Sequence, residues 1–252
     1  MNKNIIDIKK FQKDNFLVIK NFISKKKINF FVKEFLKCQK KITNPRDIHY
    51  LKKNSKKKLS SMHNIHLYSS AYKNYILRSD LRKIIKKLYG TCSNKIFNSS
   101  YFAKKLGVGL ETKMHQDNAY FNLKKAEVLT CWIPVDKPTK KNGTLYYYKG
   151  SAKLGNLKHI PKGNLGASMC IENSKNFKKK INKFKKFFID INPGDCVIHN
   201  GLVVHGSRKN LSHTNRRAFN FSLKSGRDQI DIKKFNSYKN KLKKFIIRKK
   251  ND

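Results

Sequence analysis

The sequence predicts an α+β fold, mainly β with flanking helices, on the strength of two observations. Up to about residue 90 the apolar residues recur at spacings of three and four, the signature of helices packed by one face. Beyond Gly90 they gather into short extended runs separated by Gly, Pro, Asn and Asp. Helices followed by many strands place a β-sandwich or barrel in the second half. A chain of 252 residues is long enough for one domain with a sizeable core. Residues 1–252 are therefore read as a single unit, with a helical part over about 1–90, a β core over about 91–225 and a basic tail over about 226–252.

The elements follow in order. Phe11 to Ile19 forms a short apolar run after which Ser24, a good N-cap, opens a helix carrying Ile28, Phe31, Val32, Phe35 and Leu36 on one stripe. Pro45 to Ser61 is polar and lysine-rich without periodicity, and reads as a surface loop or lid. Leu77, Leu81, Ile84, Ile85 and Leu88 predict a second amphipathic helix stopped by Gly90. Strands are expected at Ile96–Leu106, Val128–Val135, Thr144–Tyr148, Phe187–Ile191, Cys196–His199, Leu202–His205 and Arg217–Leu223. Between them lie the turn signals Gly107-Val108-Gly109, Asn142-Gly143, Gly150 and Asn192-Pro193-Gly194-Asp195. Ile171 to Lys186 reads as a peripheral basic insertion, and the segment from Asp231 as a peripheral, weakly amphipathic tail.

Charge is the most conspicuous feature of the composition: 59 Lys and Arg against 15 Asp and Glu give +44. Such an excess invites a polyanion partner. The lysines are nevertheless spread through every segment and are not interleaved with aromatics along one strip, so compositional bias is the preferred reading over nucleic-acid binding. Five cysteines, Cys38, Cys92, Cys131, Cys170 and Cys196, are odd in number and widely spaced, as in a reduced intracellular protein. No signal peptide and no apolar run of about 20 residues is evident, which together give an expectation of a cytoplasmic protein without a membrane span.

The chemistry is concentrated in His115-Gln116-Asp117, answered ninety positions later by His205. In an extended strand residues two apart share a side, so His115 and Asp117 are expected to project together while Gln116 faces away. Two imidazoles and one carboxylate cap one face of an octahedral metal and leave three positions open, the ligand set of the non-haem Fe(II) oxygenases. The same donors also suit Zn or Mn in a non-oxidative role. On the residues alone, His199 competes with His205 as the third ligand.

In order along the chain, several runs resemble the phytanoyl-CoA dioxygenase family of Fe(II)- and 2-oxoglutarate-dependent oxygenases. They are Asp14-Asn15-Phe16-Leu17-Val18-Ile19 with Asn21-Phe22 and Ser24; Met114 to Phe121; Trp132-Ile133-Pro134-Val135-Asp136; Asn142-Gly143-Thr144-Leu145; Gly150-Ser151; Gly194-Asp195-Cys196-Val197; His205-Gly206-Ser207 with Asn210; and Arg216-Arg217-Ala218. Together they span about residues 11–223. The resemblance implies a double-stranded β-helix, a cupin-like jelly roll, with His115, Asp117 and His205 as iron ligands. It favours His205 over His199 and implies that Arg216 pairs with the distal carboxylate of 2-oxoglutarate, to which Ser207 adds a hydroxyl. Bidentate guanidinium chemistry suits that role. Arg217 should point to the opposite face. Trp132 matches a position lining the cosubstrate pocket. One departure stands out: Ala152 occupies a place where many members carry histidine.

The activity so implied is O2-dependent hydroxylation of an unactivated carbon in a small-molecule substrate, with succinate and CO2 as coproducts. Halogenating relatives of the fold lack the metal carboxylate, so Asp117 points to hydroxylation. A lysine-rich mouth weakly favours an anionic substrate. The competing readings are a jelly-roll protein holding a metal for a non-oxidative role, and a basic polyanion-binding module without turnover.

Overall fold

A computed structural model describes residues 7–53, 56–105, 109–164 and 167–251. The turn expected at Gly107-Val108 and the first six residues of the chain lie outside these. In chain order the elements are α1 (Ile8–Asp14), β1 (Phe16–Ile19), α2 (Lys25–Gln39), β2 (Ile48–Lys53), β3 (Lys56–His63), α3 (Ser70–Leu77), α4 (Leu81–Tyr89), β4 (Asn98–Lys104), β5 (Thr112–His115), α5 (Asn118–Phe121), β6 (Val128–Pro134), β7 (Leu145–Tyr148), β8 (His159–Asn164), β9 (Ala167–Ile171), α6 (Lys175–Ile181), β10 (Lys186–Phe188), β11 (Cys196–Asn200), β12 (His205–Ser207), β13 (Arg216–Lys224) and α7 (Ile232–Asn251).

The strands form a jelly roll. Among the described residues, one sheet has the order β1-β11-β6-β13-β4-β3-β2 and the other β10-β7-β12-β5, with β8-β9 as a separate hairpin. Alternation decides what each face of the large sheet does. On β6 and β13, Leu129, Cys131, Ile133, Phe219, Phe221 and Leu223 point outward to the helices, where they pack with Phe31, Phe35 and Tyr72. The alternate residues Trp132 and Ala218 point inward and meet Leu145, Tyr147 and Val203 from the small sheet. Each fully buried aromatic contributes roughly 1.5–3 kcal/mol of transfer free energy, so the helical layer anchors the back of the sheet while its front is left to build a site.

Helix α2 is capped as expected, the Ser24 hydroxyl accepting from the Lys27 amide. Its stripe is narrower than expected, for Leu36 is 52% exposed and Cys38 takes the buried place. The predicted helix through Leu77–Leu88 is two helices: α3 ends at Leu77, and α4 starts after the Arg78-Ser79-Asp80 break and stops at Gly90, whose φ of 79° only glycine adopts freely.

A larger correction concerns the first ninety residues. They are not simply helical, because β1 pairs with β11, and Pro45–Ser61, expected to be a loop, supplies β2 and most of β3. Through Ser61↔Phe102, Met62↔Tyr101 and His63↔Ser100, β3 extends the large sheet beyond β4. Lysines are so dense in this hairpin, and a register shift between Leu59 and Ser61 so interrupts its alternation, that no period-two signal is visible in sequence. The strand expected at Leu202–His205 begins only at His205. The insertion at 171–186 contains α6, whose Phe177 and Ile181 are buried against Ile171 and Val204, so it is integrated with the core. The tail is the long helix α7, with Tyr238 edge-on to Tyr120. All five cysteines are free thiols, and among the described residues no helix is long and apolar enough to cross a membrane.

Candidate metal centre and carboxylate pocket

Strands β5 and β12 lie side by side with His115 opposite His205. Gly206 permits this closeness: a Cβ there would lie 2.8 Å from the Thr112 carbonyl oxygen. The His115 Nδ1 is 2.8 Å from the Lys113 carbonyl oxygen, and the His205 Nδ1 is 3.0 Å from that of Val203. A carbonyl can only accept, so each ring carries its proton on Nδ1 and turns the Nε2 lone pair toward the cavity. Those two Nε2 atoms lie 3.6 and 3.5 Å from Asp117 Oδ1. One donor atom from each of the three residues falls within 4.8 Å of the others, a spacing that admits a single metal ion.

Asp117 reaches this position by a route other than strand alternation. Strand β5 stops at His115, and Asp117 has helical backbone angles (φ −61°, ψ −31°) at the start of α5. Gln116 does face away, as expected: its side-chain amide donates to the carbonyls of Gly155 and Leu202 and its oxygen accepts from the Leu157 amide, clamping two loops behind the site.

The two oxygens of Asp117 are divided. Oδ2 accepts from the Thr130 hydroxyl at 2.7 Å and from His199 Nε2 at 3.0 Å, while the Tyr147 hydroxyl meets His199 Nδ1 at 3.0 Å. His199 therefore serves the carboxylate's far oxygen, and Oδ1 is left to face the two other imidazoles. Burial opposes ionisation of Asp117, but its contacts with the His115, His199 and His205 rings overcome it, holding the carboxyl well below its usual range. Burial first, and then His115, holds His205 well below the usual imidazole value, so it is neutral and able to ligate. Sequence reasoning did not find Thr130, which belongs to a run of apolar strand residues; its place two before Trp132 on the inward face of β6 was the available signal.

At the far end of the same cavity stand Arg216, Ser207, Trp132 and Lys104. Arg216 is 3% exposed, and its guanidinium lies 5.7 Å from the Trp132 ring. Burial pulls it down to about 10, which leaves it charged at neutral pH. Arg217 points the other way and pairs bidentately with Asp136, as alternation predicts. Two atoms of the pocket, Arg216 Nε and Ser207 Oγ, are buried without a hydrogen-bond partner among the described residues. Leaving such donors unsatisfied costs about 1–3 kcal/mol each, and a carboxylate is the group that satisfies both. Lys104 is also buried, its ammonium donating to the Ser207 and Arg208 carbonyls and so fixing the strand that carries Ser207. It is a positioning group that sequence inspection could not separate from the other lysines.

A jelly roll with two imidazoles and a carboxylate converging at one end, and a buried guanidinium deeper in the same cavity, has the architecture of the Fe(II)- and 2-oxoglutarate-dependent oxygenases. Residues 11–218 match the model of the phytanoyl-CoA dioxygenase family, and the chain belongs to that family. It is 26% identical to a phytanoyl-CoA dioxygenase of Arabidopsis thaliana over 64% of this chain and 55% of the relative, so the match spans about half of that protein. It is 25% identical to the peroxisomal phytanoyl-CoA dioxygenase of Homo sapiens over 92% of this chain and 73% of the relative. Among solved structures, EctD from S. alaskensis, determined with 2-oxoglutarate and 5-hydroxyectoine, superposes with a TM-score of 0.73 at 16% identity, covering 92% of this chain and 80% of that one.

Proposed function

We propose that this chain is a dioxygenase that uses Fe(II), 2-oxoglutarate and O2 to hydroxylate an unactivated carbon of a small-molecule substrate, releasing succinate and CO2. In this reading His115, Asp117 and His205 hold the iron, Arg216 and Ser207 hold the distal carboxylate of 2-oxoglutarate, and Trp132 lines its pocket. One observation carries it: three metal-donor atoms converge in the same cavity that buries an unpartnered guanidinium nitrogen and hydroxyl. Membership of the family supports it, and so does the presence of 2-oxoglutarate and 5-hydroxyectoine in the similar EctD structure.

When bound, the ferrous ion supplies the centre at which dioxygen and the keto acid react. The chain does the rest. Thr130 and His199 occupy Oδ2 of Asp117, so that Oδ1 is the oxygen presented to the metal. The Lys113 and Val203 carbonyls fix both imidazole tautomers. Arg216, charged in dry surroundings, attracts a carboxylate more strongly than a surface arginine does. Trp132 and Leu145 help keep water from the reacting atoms.

Succinate formation from 2-oxoglutarate, assayed without substrate, tests the reading. It should require Fe(II) and vanish in His115→Ala and in Arg216→Ala. Tight Zn or Mn binding without any succinate would favour the non-oxidative metal protein instead. Polyanion affinity retained in both variants and steeply lost with salt would favour the basic binding module.

A further inference from the structure

One wall of the cavity, running from Trp132 toward the edge of the large sheet, is polar and uncharged. It lies in register across the large sheet: Trp132 pairs with Asn220, Asn220 with Ser100, and Ser100 with His63, so the row extends roughly 10 Å past Asn220 at ordinary strand spacing. All of these residues line the cavity that contains the three candidate metal ligands. Asn220 Oδ1 is buried and has no hydrogen-bond partner among the described residues. The neighbouring hydroxyls are committed in one direction. Ser100 donates to Asn98 Oδ1, so its oxygen accepts from His63 Nδ1, and His63 Nε2 then accepts from Ser61. In this arrangement both serines have committed their hydrogens, so toward the cavity the wall offers hydroxyl lone pairs together with the side-chain amides of Asn98 and Asn220. Burial pushes His63 down to about 3, so the ring stays neutral and the arrangement holds across the working pH range. Despite the charge of +44, the described lysines and arginines of the cavity are Lys104 and Arg216, both at the cosubstrate end.

We propose that the substrate of this site is a small, uncharged, polyhydroxylated molecule whose hydroxyl groups donate to Asn220, Ser100 and Ser61. The proposal rests on the dioxygenase reading and gives it a substrate class. A wall without a cation offers carboxylates and phosphates no charge partner, and burying a branched alkyl chain such as that of phytanoyl-CoA against it would leave its polar groups unmatched.

The test is calorimetric binding to the Fe(II)- and 2-oxoglutarate-loaded protein under anaerobic conditions, run beside the succinate assay. The probes are monosaccharides and cyclic polyols, their carboxylated and phosphorylated counterparts, and phytanoyl-CoA. At least one uncharged polyol should bind, its acidic counterpart should not, and Asn220→Leu and Ser100→Ala should each weaken it about ten-fold, the size of one lost hydrogen bond. Melting temperatures of both variants, measured in the same buffer, establish that they are folded. Failure of every polyol to bind, tighter binding of phytanoyl-CoA or an acidic probe, or polyol affinity indifferent to both substitutions overturns the proposal. Because binding is read directly, absence of succinate with polyol binding intact sinks the dioxygenase reading while leaving this wall's ligand class standing.

Discussion

Thr130→Val removes a single hydroxyl from the site while keeping its shape. The Thr130 Oγ1 donates to Asp117 Oδ2 at 2.7 Å in a buried setting, and it shares a second contact, 2.9 Å, with Ser222 Oγ. A hydrogen bond to a charged group is worth about 1.5–3 kcal/mol, and the valine methyl offers nothing in its place. His199 remains as the other donor to Oδ2, so the carboxylate is weakened rather than freed. Supporting partners of metal ligands cost about 10–100-fold in affinity when removed, and the two magnitudes agree. Titration calorimetry with Co(II) as a redox-stable probe should therefore show a loss of about 10–100-fold, with 2-oxoglutarate still bound once metal is saturating. Unchanged metal affinity in a folded Thr130→Val protein would refute the division of labour between the two Asp117 oxygens.

Other outcomes follow from the same geometry. Arg216→Leu should leave Co(II) affinity intact and weaken 2-oxoglutarate at least 100-fold, about 3 kcal/mol, because a buried charge-assisted pair is lost; equal loss of both ligands would argue against separate subsites. Gly206→Ala should expel the metal, since its Cβ would meet the Thr112 carbonyl and push β12 from β5; retained Co(II) binding would show that the two strands can separate cheaply. Burial lowers His63 to about 3 and His159 to about 4, so both rings are neutral in the folded chain, whereas the unfolded chain protonates them below about 6.5. Unfolding free energy should thus fall by about 1.4 kcal/mol per pH unit for each ring between pH 6.5 and 4, read by urea denaturation, and His63→Gln should remove its share of that slope. Phe31→Ala should cost about 3–5 kcal/mol in the same measurement; a cost below 1 kcal/mol would mean that the helical layer does not anchor the sheet.

The legibility of this chain in its sequence varies with how local each signal is. The Ser24 cap, the α2 stripe and the Gly90 stop depend on neighbours three or four residues away, and the sequence displays them. The opposite aim of Arg216 and Arg217 was legible for the same reason, because alternation along a strand is local. His115 and Asp117 were named from residue type and spacing, and His205 was preferred to His199 through the family resemblance, yet the backbone that unites them was not foreseen: a helical residue at Asp117 breaks the alternation on which the pairing was argued. The β2–β3 hairpin was read as a loop because its lysines hide an edge pairing that only β4 reveals. Thr130, Lys104 and Asn220 act through partners far along the chain, and nothing in their immediate surroundings announces those partners.

That hairpin has an evolutionary corollary. It hangs on the margin of the large sheet by one neighbour, while β12 and β13, bearing His205 and Arg216, are each paired on both sides. Its swap for another hairpin would leave the reactive hardware untouched and redraw what the vestibule admits, so descendants of this fold can diversify their diet at the periphery while inheriting their chemistry intact.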